Sequence, residues 1–221
     1  MKILAVEFSS EQRSIALVEQ QPDGRGRVCG FAEEKGGRTS HAIHLVERVL
    51  QQAGVQREEI GSLAVGLGPG SYTGIRAAIA LAQGWQLAQS IKLLGISSMD
   101  CLAEESRTSG LTDPVQVIVD AQRNEFYLAG YRLEKTGASL VESLHITGFD
   151  AVQRRIDAGE YFIGPDARSF FSSAHDLYPT AATLGKLACG KSDYVAGEKL
   201  EPIYLRPINF VEAPPSRIIS D

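Results

Sequence analysis

The sequence predicts an α/β protein built from two copies of one topology, the second of them abbreviated. Three observations carry this reading. Three strand-like runs with short connections open the chain. The hydrophobic pattern then changes to a helical period, and helices alternate with strands. After residue 107 the strand-rich pattern starts again.

Residues 2–8 (KILAVEF) and 12–19 (QRSIALVE) read as strands parted by the polar turn Ser9-Ser10-Glu11, and a third run, 27–34, follows the loop QQPDGRG. Short connections make these an antiparallel meander. Thr39-Ser40 offers an N-cap to a helix over 40–53, whose apolar residues fall at 42, 45, 46, 49, 50 and 53, and Gly54 stops it. A strand at 62–67 leads into the turn GLGPGSYTGIR (66–76), then a helix over 73–89 and a strand at 92–96. Ser97 or Ser98 caps a helix that runs to about Arg107.

The patch SGLTDP is rich in turn residues and divides the chain into lobes at 1–107 and 108–221. The second lobe opens with strands at 115–120, 125–132 and 139–146. Weaker signals give a helix at 149–158, a strand at 160–164 and helices near 166–174 and 180–190. The Pro-rich end, from Glu201, reads as an extended tail.

The 221 residues carry 43% hydrophobic and 22% charged residues, with a net charge of −5. An acidic chain is a poor solo binder of nucleic acid, because that affinity comes largely from neutralising phosphates. Cys29, Cys101 and Cys189 are few, odd in number and without CxxC spacing, which suits a reducing compartment and argues against disulfides or zinc. The start MKILAVEFSSEQ turns polar too early for a signal peptide. The apolar run from Ile75 to Ala88 is too short to span a membrane and contains Arg76 and Gln83. The expectation is a soluble, cytoplasmic protein.

The turn at 66–76 stands where many enzymes cradle a phosphate, between a strand and a helix N-terminus. It lacks the Gly-Lys-Ser/Thr ending of a P-loop, and Gly68, Gly70 and Gly74 are spaced wrongly for GxGxxG. A tight strand-to-helix turn is favoured over an anion site: Pro69 sets one dihedral, Gly70 takes a positive φ, and Ser71 or Thr73 caps the helix. From Thr73 to Ala88 the only charge is Arg76. A helix without a polar face needs cover on both sides. Either it is buried in one large core or it meets a second chain, and Gly74, Ala78 and Ala82 would let another helix approach.

Several motifs in order narrow the fold. ILAVEFSSEQRSIAL (3–17), GLGPGSYTGIRAAIALAQGWQLA (66–88), GISSMDCLA (95–103), DAQRNEFYLAGY (120–131) and PIYLR (202–206) together resemble the TsaB (YeaZ) family. The resemblance spans nearly the whole chain. It implies the actin-like ATPase and sugar-kinase fold, with duplicated ββαβαβα lobes, and a non-catalytic role beside the paralogue TsaD in making threonylcarbamoyladenosine at position 37 of tRNA. It also implies that the small ATPase TsaE joins the complex, that the chain self-pairs when alone, and that tRNA is met only through the complex. The family usually has Asp where Glu7 stands, a shorter loop around 20–27, and a proline late in the first helix that is missing here.

ATP-binding relatives of this fold use two hairpins with small residues. Here those positions read Glu7-Phe8-Ser9-Ser10 and Asp120-Ala121-Gln122-Arg123, with no glycine at either turn, so no nucleotide cofactor is expected. Arg123 reads as a surface or interdomain ion pair. The metal-binding His-x-x-x-His of the catalytic paralogue falls on Ser98 and Leu102, which removes both ligands. His41 and His44 are a weak alternative metal pair with Glu47 beside them; His145 and His175 are isolated. No catalytic, cofactor or metal residue is assigned.

The resemblance instead points to a partner interface of two helices, 40–53 and 73–88. His44, Glu47 and Arg48 form its polar edge, with Arg76, Ile79 and Gln83 on the facing side. The alternative function is a small-molecule kinase or ATPase of the same fold.

Overall fold

The computed structural model describes residues 1–35 and 41–205. The expected Thr39-Ser40 cap and the tail beyond Leu205 lie outside them. The first half contains β1 (Lys2–Glu7), β2 (Gln12–Gln20), β3 (Gly26–Lys35), α1 (Ala42–Ala53), β4 (Ser62–Gly66), α2 (Tyr72–Ala88), β5 (Lys92–Ile96) and α3 (Ser98–Thr108). The second contains β6 (Val115–Asp120), β7 (Glu125–Glu134), β8 (Gly137–Gly148), α4 (Phe149–Asp157), β9 (Tyr161–Gly164), α5 (Ala167–Phe170), β10 (His175–Asp176) and α6 (Ala181–Ala188).

Two five-stranded sheets have the orders β3-β2-β1-β4-β5 and β8-β7-β6-β9-β10. The order is the same in both, and so are the directions. β1 is antiparallel to β2 and parallel to β4, and β6 is antiparallel to β7 and parallel to β9. This is the duplicated topology of the actin-like and sugar-kinase fold. Strand β1 is apolar almost throughout because both of its faces are covered. Leu4 and Val6 face α1 and α2, whereas Ile3 and Ala5 face α6.

The packing gives five layers. α1 and α2 cover the outer face of the first sheet through Leu45, Val46, Val49, Ile75 and Ala78. α6 covers its inner face through Ala181, Leu184 and Ala188, joined by Cys101 of α3. The other side of α3, with Met99, Leu102 and Ala103, packs on Val115, Val117 and Tyr131 of the second sheet. Val152 of α4 and Phe171 close that sheet's far face, against Phe126 and Phe162. The division at residue 107 therefore separates the sheets but not the helices. α3 of the first half lies on the second sheet, and α6 of the second half lies on the first.

One expected element differs, and one strand was not expected. The helix expected near 166–174 is a single turn, Ala167–Phe170, after which Phe171 is extended. Phe171 and Ala174 are drawn into the core, and the chain then adds the short strand β10 beside β9. Two residues of strand are too few to leave a periodic signal.

Beyond α6 the chain returns to the first lobe as a strap. Val195 bonds Leu93 across the open edge of β5 (N to O, 2.9 Å). Gly197 is clamped by two amides of α2: its N–H donates to Gln86 Oε1 at 2.8 Å and its carbonyl accepts from Gln83 Nε2 at 2.9 Å. A Cβ there would lie 2.9 Å from Gln86 Oε1 and 3.1 Å from Gln83 Cγ, so a larger side chain would push aside the two amides that hold the strap. Leu200 enters the first core, Ile203 N bonds Leu67 O at 2.9 Å, and the Tyr204 ring stacks on Tyr72.

Candidate functional site

A cleft of about 640 Å3 lies between the lobes where the two hairpins and the glycine turn converge. The turn is spent on packing. Ser71 N donates to Ser9 O at 2.7 Å, and Ser71 Oγ, the N-cap of α2, accepts from Gly74 N at 3.3 Å. A Cβ on Gly70 would stand 2.1 Å from Ser9 O, and one on Gly74 2.0 Å from Phe8 O. These glycines press α2 onto the first hairpin, and two donors that an anion there would use, the Ser71 and Gly74 N–H groups, are bonded within the chain.

The second hairpin turns through three successive left-handed residues, Gln122, Arg123 and Asn124, at φ 64°, 61° and 58°. Such residues cost roughly 1–2 kcal/mol each outside glycine. Asp120 offsets part of that cost, since its carboxylate accepts from Gln122 N at 2.7 Å and from Gln122 Nε2 at 2.9 Å. Arg123 projects into solvent and makes no ion pair among the described residues. Glu11, Asp120 and Asp166 line the cleft, and no Lys, Arg or His does among the described residues. Three carboxylates repel a polyphosphate.

Below the turn lies a buried carboxyl. Glu7 is fully enclosed; its Oε1 accepts from Ser9 N at 2.8 Å and its Oε2 from Ser98 Oγ at 2.9 Å. Ser98 Oγ in turn accepts from Gly68 N at 3.1 Å. Burial raises the Glu7 carboxyl above its ordinary pKa, and the Ser9 and Ser98 donors oppose the shift. Leu102, one turn further along α3, is buried against the second sheet. His41 pairs with Glu34 at 3.3 Å, while His44 points into solvent.

The helix pair α1–α2 presents a different surface. His44, Glu47 and Arg48 are exposed along α1, and Glu47 pairs with Arg57 at 3.5 Å. Arg76 is exposed on α2, its guanidinium 4.5 Å above the Tyr72 ring. Ile79 and Gln83 are placed otherwise than expected. Ile79 is buried in the cluster that holds Leu93 and Leu200, and Gln83 is bonded to the strap. The strap covers that side of α2, so its open face is rotated toward Ala80, Gly84 and Leu87.

Leu87 is 90% exposed and Ile43 59%. Between the helices runs a groove of about 550 Å3, walled by Ile43, Val46, Leu81 and Trp85. Sequence reasoning named none of these as interface residues. Helical spacing from Arg76 would have found Ala80, and Leu87 belongs to the same side.

The family model described as TsaD, tRNA N6-adenosine threonylcarbamoyltransferase, matches residues 38–173, more than half of the chain. The protein named tRNA threonylcarbamoyladenosine biosynthesis protein TsaB from Escherichia coli K12 is 29% identical over 93% of this chain and 95% of its own length. The chain belongs to the TsaB (YeaZ) branch of this family. The Bacillus subtilis TsaB is 24% identical over 85% of this chain and 81% of its own. Among solved structures, YeaZ from Pseudomonas aeruginosa superposes with a TM-score of 0.76 at 27% identity, over 92% of this chain and 99% of that one. No helix among the described residues of this TsaB-family chain is long and apolar enough to cross a membrane.

Proposed function

We propose that this chain is the accessory, scaffold-type subunit of a tRNA threonylcarbamoyltransferase complex. It binds and activates the catalytic paralogue TsaD, which modifies adenosine 37. The observation that carries this reading is the apolar ridge on α1 and α2, where Leu87 and Ile43 stand open beside a groove. A contiguous apolar face of this kind marks a protein contact. The acidic cleft and the buried Ser98 and Leu102 support a chain that contributes no catalytic group.

Activation follows from preferential binding: TsaD held on this ridge spends more time in its competent conformation, and the gain equals the difference in affinity between its states. TsaE joins at the junction of the two paralogues. In the absence of TsaD the ridge closes on a second copy of the chain. tRNA meets the chain only through the complex, in the cytoplasm.

The test is reconstituted modification. tRNA, the threonylcarbamoyl adenylate, TsaD and TsaE are combined with and without this chain, and this chain is also assayed without TsaD. Product that requires both paralogues is the expected result. Product from this chain without TsaD would overturn the scaffold reading, and product independent of the chain would remove its role.

A further inference from the structure

We infer that the C-terminal strap forms one end of the partner-docking surface, so that TsaD is held by α2 and by Tyr204 and Leu205 together. This rests on the reading that α1 and α2 bind TsaD. Three observations carry it.

The first is continuity. Tyr72, Arg76, Ala80 and Leu87 follow one side of α2, and the strap delivers Tyr204 onto Tyr72 at the N-terminal end of that line, with ring centroids 5.5 Å apart. Tyr72 is 56% exposed and Leu205 41%. A chain that covers Leu87 and extends along α2 reaches both.

The second is rigidity. The two amides on Gly197, the Val195 bridge and the Ile203 hydrogen bond fix the strap before Tyr204. The Tyr204 ring is thereby pre-organised against Tyr72, and little entropy is lost when it is covered. Tyrosine and arginine are also the residue types that most often dominate interface energies.

The third is charge. Arg76 is the one formal charge on this side of α2 among the described residues, and its guanidinium lies over Tyr72, beside the strap. The partner segment that fits is therefore apolar with one carboxylate, placed where Tyr72, Arg76 and Tyr204 meet. Tyr72 also lines the interlobe cleft, so a partner seated here contacts the rim of that cleft as well.

The test uses full-length chain and TsaD, with affinity read by titration calorimetry and the fold checked by circular dichroism and thermal unfolding. Three variants are compared: Leu87→Asp on the ridge, Tyr204→Ser with Leu205→Ser on the strap, and Gly197→Val, which unseats the strap from α2. The expected result is loss of binding by Leu87→Asp and at least about tenfold weaker binding by each strap variant, with the double serine variant still folded and its unfolding lowered only by the lost Tyr72–Tyr204 stacking. Loss with Leu87→Asp but wild-type affinity in the double serine variant would overturn the strap inference and leave the proposed function standing. Wild-type affinity in all three would overturn both. Weakening by the double serine variant alone would keep the strap as a docking element and remove the ridge.

Discussion

Ser98 Oγ lies 2.9 Å from Glu7 Oε2 and also receives the Gly68 N–H, so one hydroxyl ties the end of β1, the glycine turn and the start of α3 into a single buried knot. Burial raises the Glu7 carboxyl above 4.5. The folded chain then keeps this proton to higher pH than the unfolded chain does. In the window above about pH 4.5 the native state binds more protons, so stability falls as pH rises. The neutral variant Glu7→Gln lacks this term. Its stability relative to the wild type should improve between about pH 5 and pH 8, as read by urea unfolding. A constant difference across that range would mean that Glu7 titrates normally.

Gly74 and Gly84 lie on the same helix but should respond oppositely to alanine. A Cβ at Gly74 would be 2.0 Å from Phe8 O, whereas nothing lies within 4 Å of one at Gly84. Gly74→Ala should cost about 1–3 kcal/mol by forcing α2 off the first hairpin. Gly84→Ala should gain about 0.5–1 kcal/mol in the free chain from helix propensity. The same Gly84→Ala change should weaken TsaD binding, because it fills the open face of α2. Denaturant midpoints and binding titrations separate the two effects.

The kinase alternative predicts nucleotide binding in the interlobe cleft. Ligand at about 100 times its dissociation constant would add about 2.7 kcal/mol to folding stability. With Glu11, Asp120 and Asp166 on its walls, the cleft should give no thermal shift with Mg-ATP. A clear upward shift would restore the kinase reading.

Arg155 grips Glu142 at 2.8 and 2.9 Å and Glu160 at 2.7 Å, anchoring α4 beside the second sheet. The guanidinium holds the Glu142 carboxyl below its ordinary range. That depression stabilises the fold above the ordinary carboxylate pKa, and the contribution is lost as pH falls. Because the groups are partly exposed, Arg155→Ala should cost only about 1 kcal/mol at neutral pH. The cost should shrink in high salt and toward about pH 4 in thermal unfolding.

The order of elements was legible because it is written locally. The apolar runs of β1 and β2, the helical spacing of α1 with Gly54 as its stop, and the Ser71 and Ser97 caps are each set by residues within a few positions of one another. The repeat of topology was legible for the same reason. The absence of glycine from both hairpin turns could also be read from residue type alone.

Tertiary structure decided which face of each helix is covered, and by what. α2 is apolar or small on nearly every side, so its own sequence does not distinguish core from surface. That distinction came from Gly197 and Leu200, more than a hundred residues away, which bury Ile79, engage Gln83 and leave Leu87 open. The exchange of α3 and α6 between the sheets has the same origin. A helix pattern states that an apolar stripe must be buried, and only the path of the chain states against which sheet. Sequence alone thus determined the parts and their family, whereas the candidate binding surface was decided by long-range packing, which local periodicity does not encode.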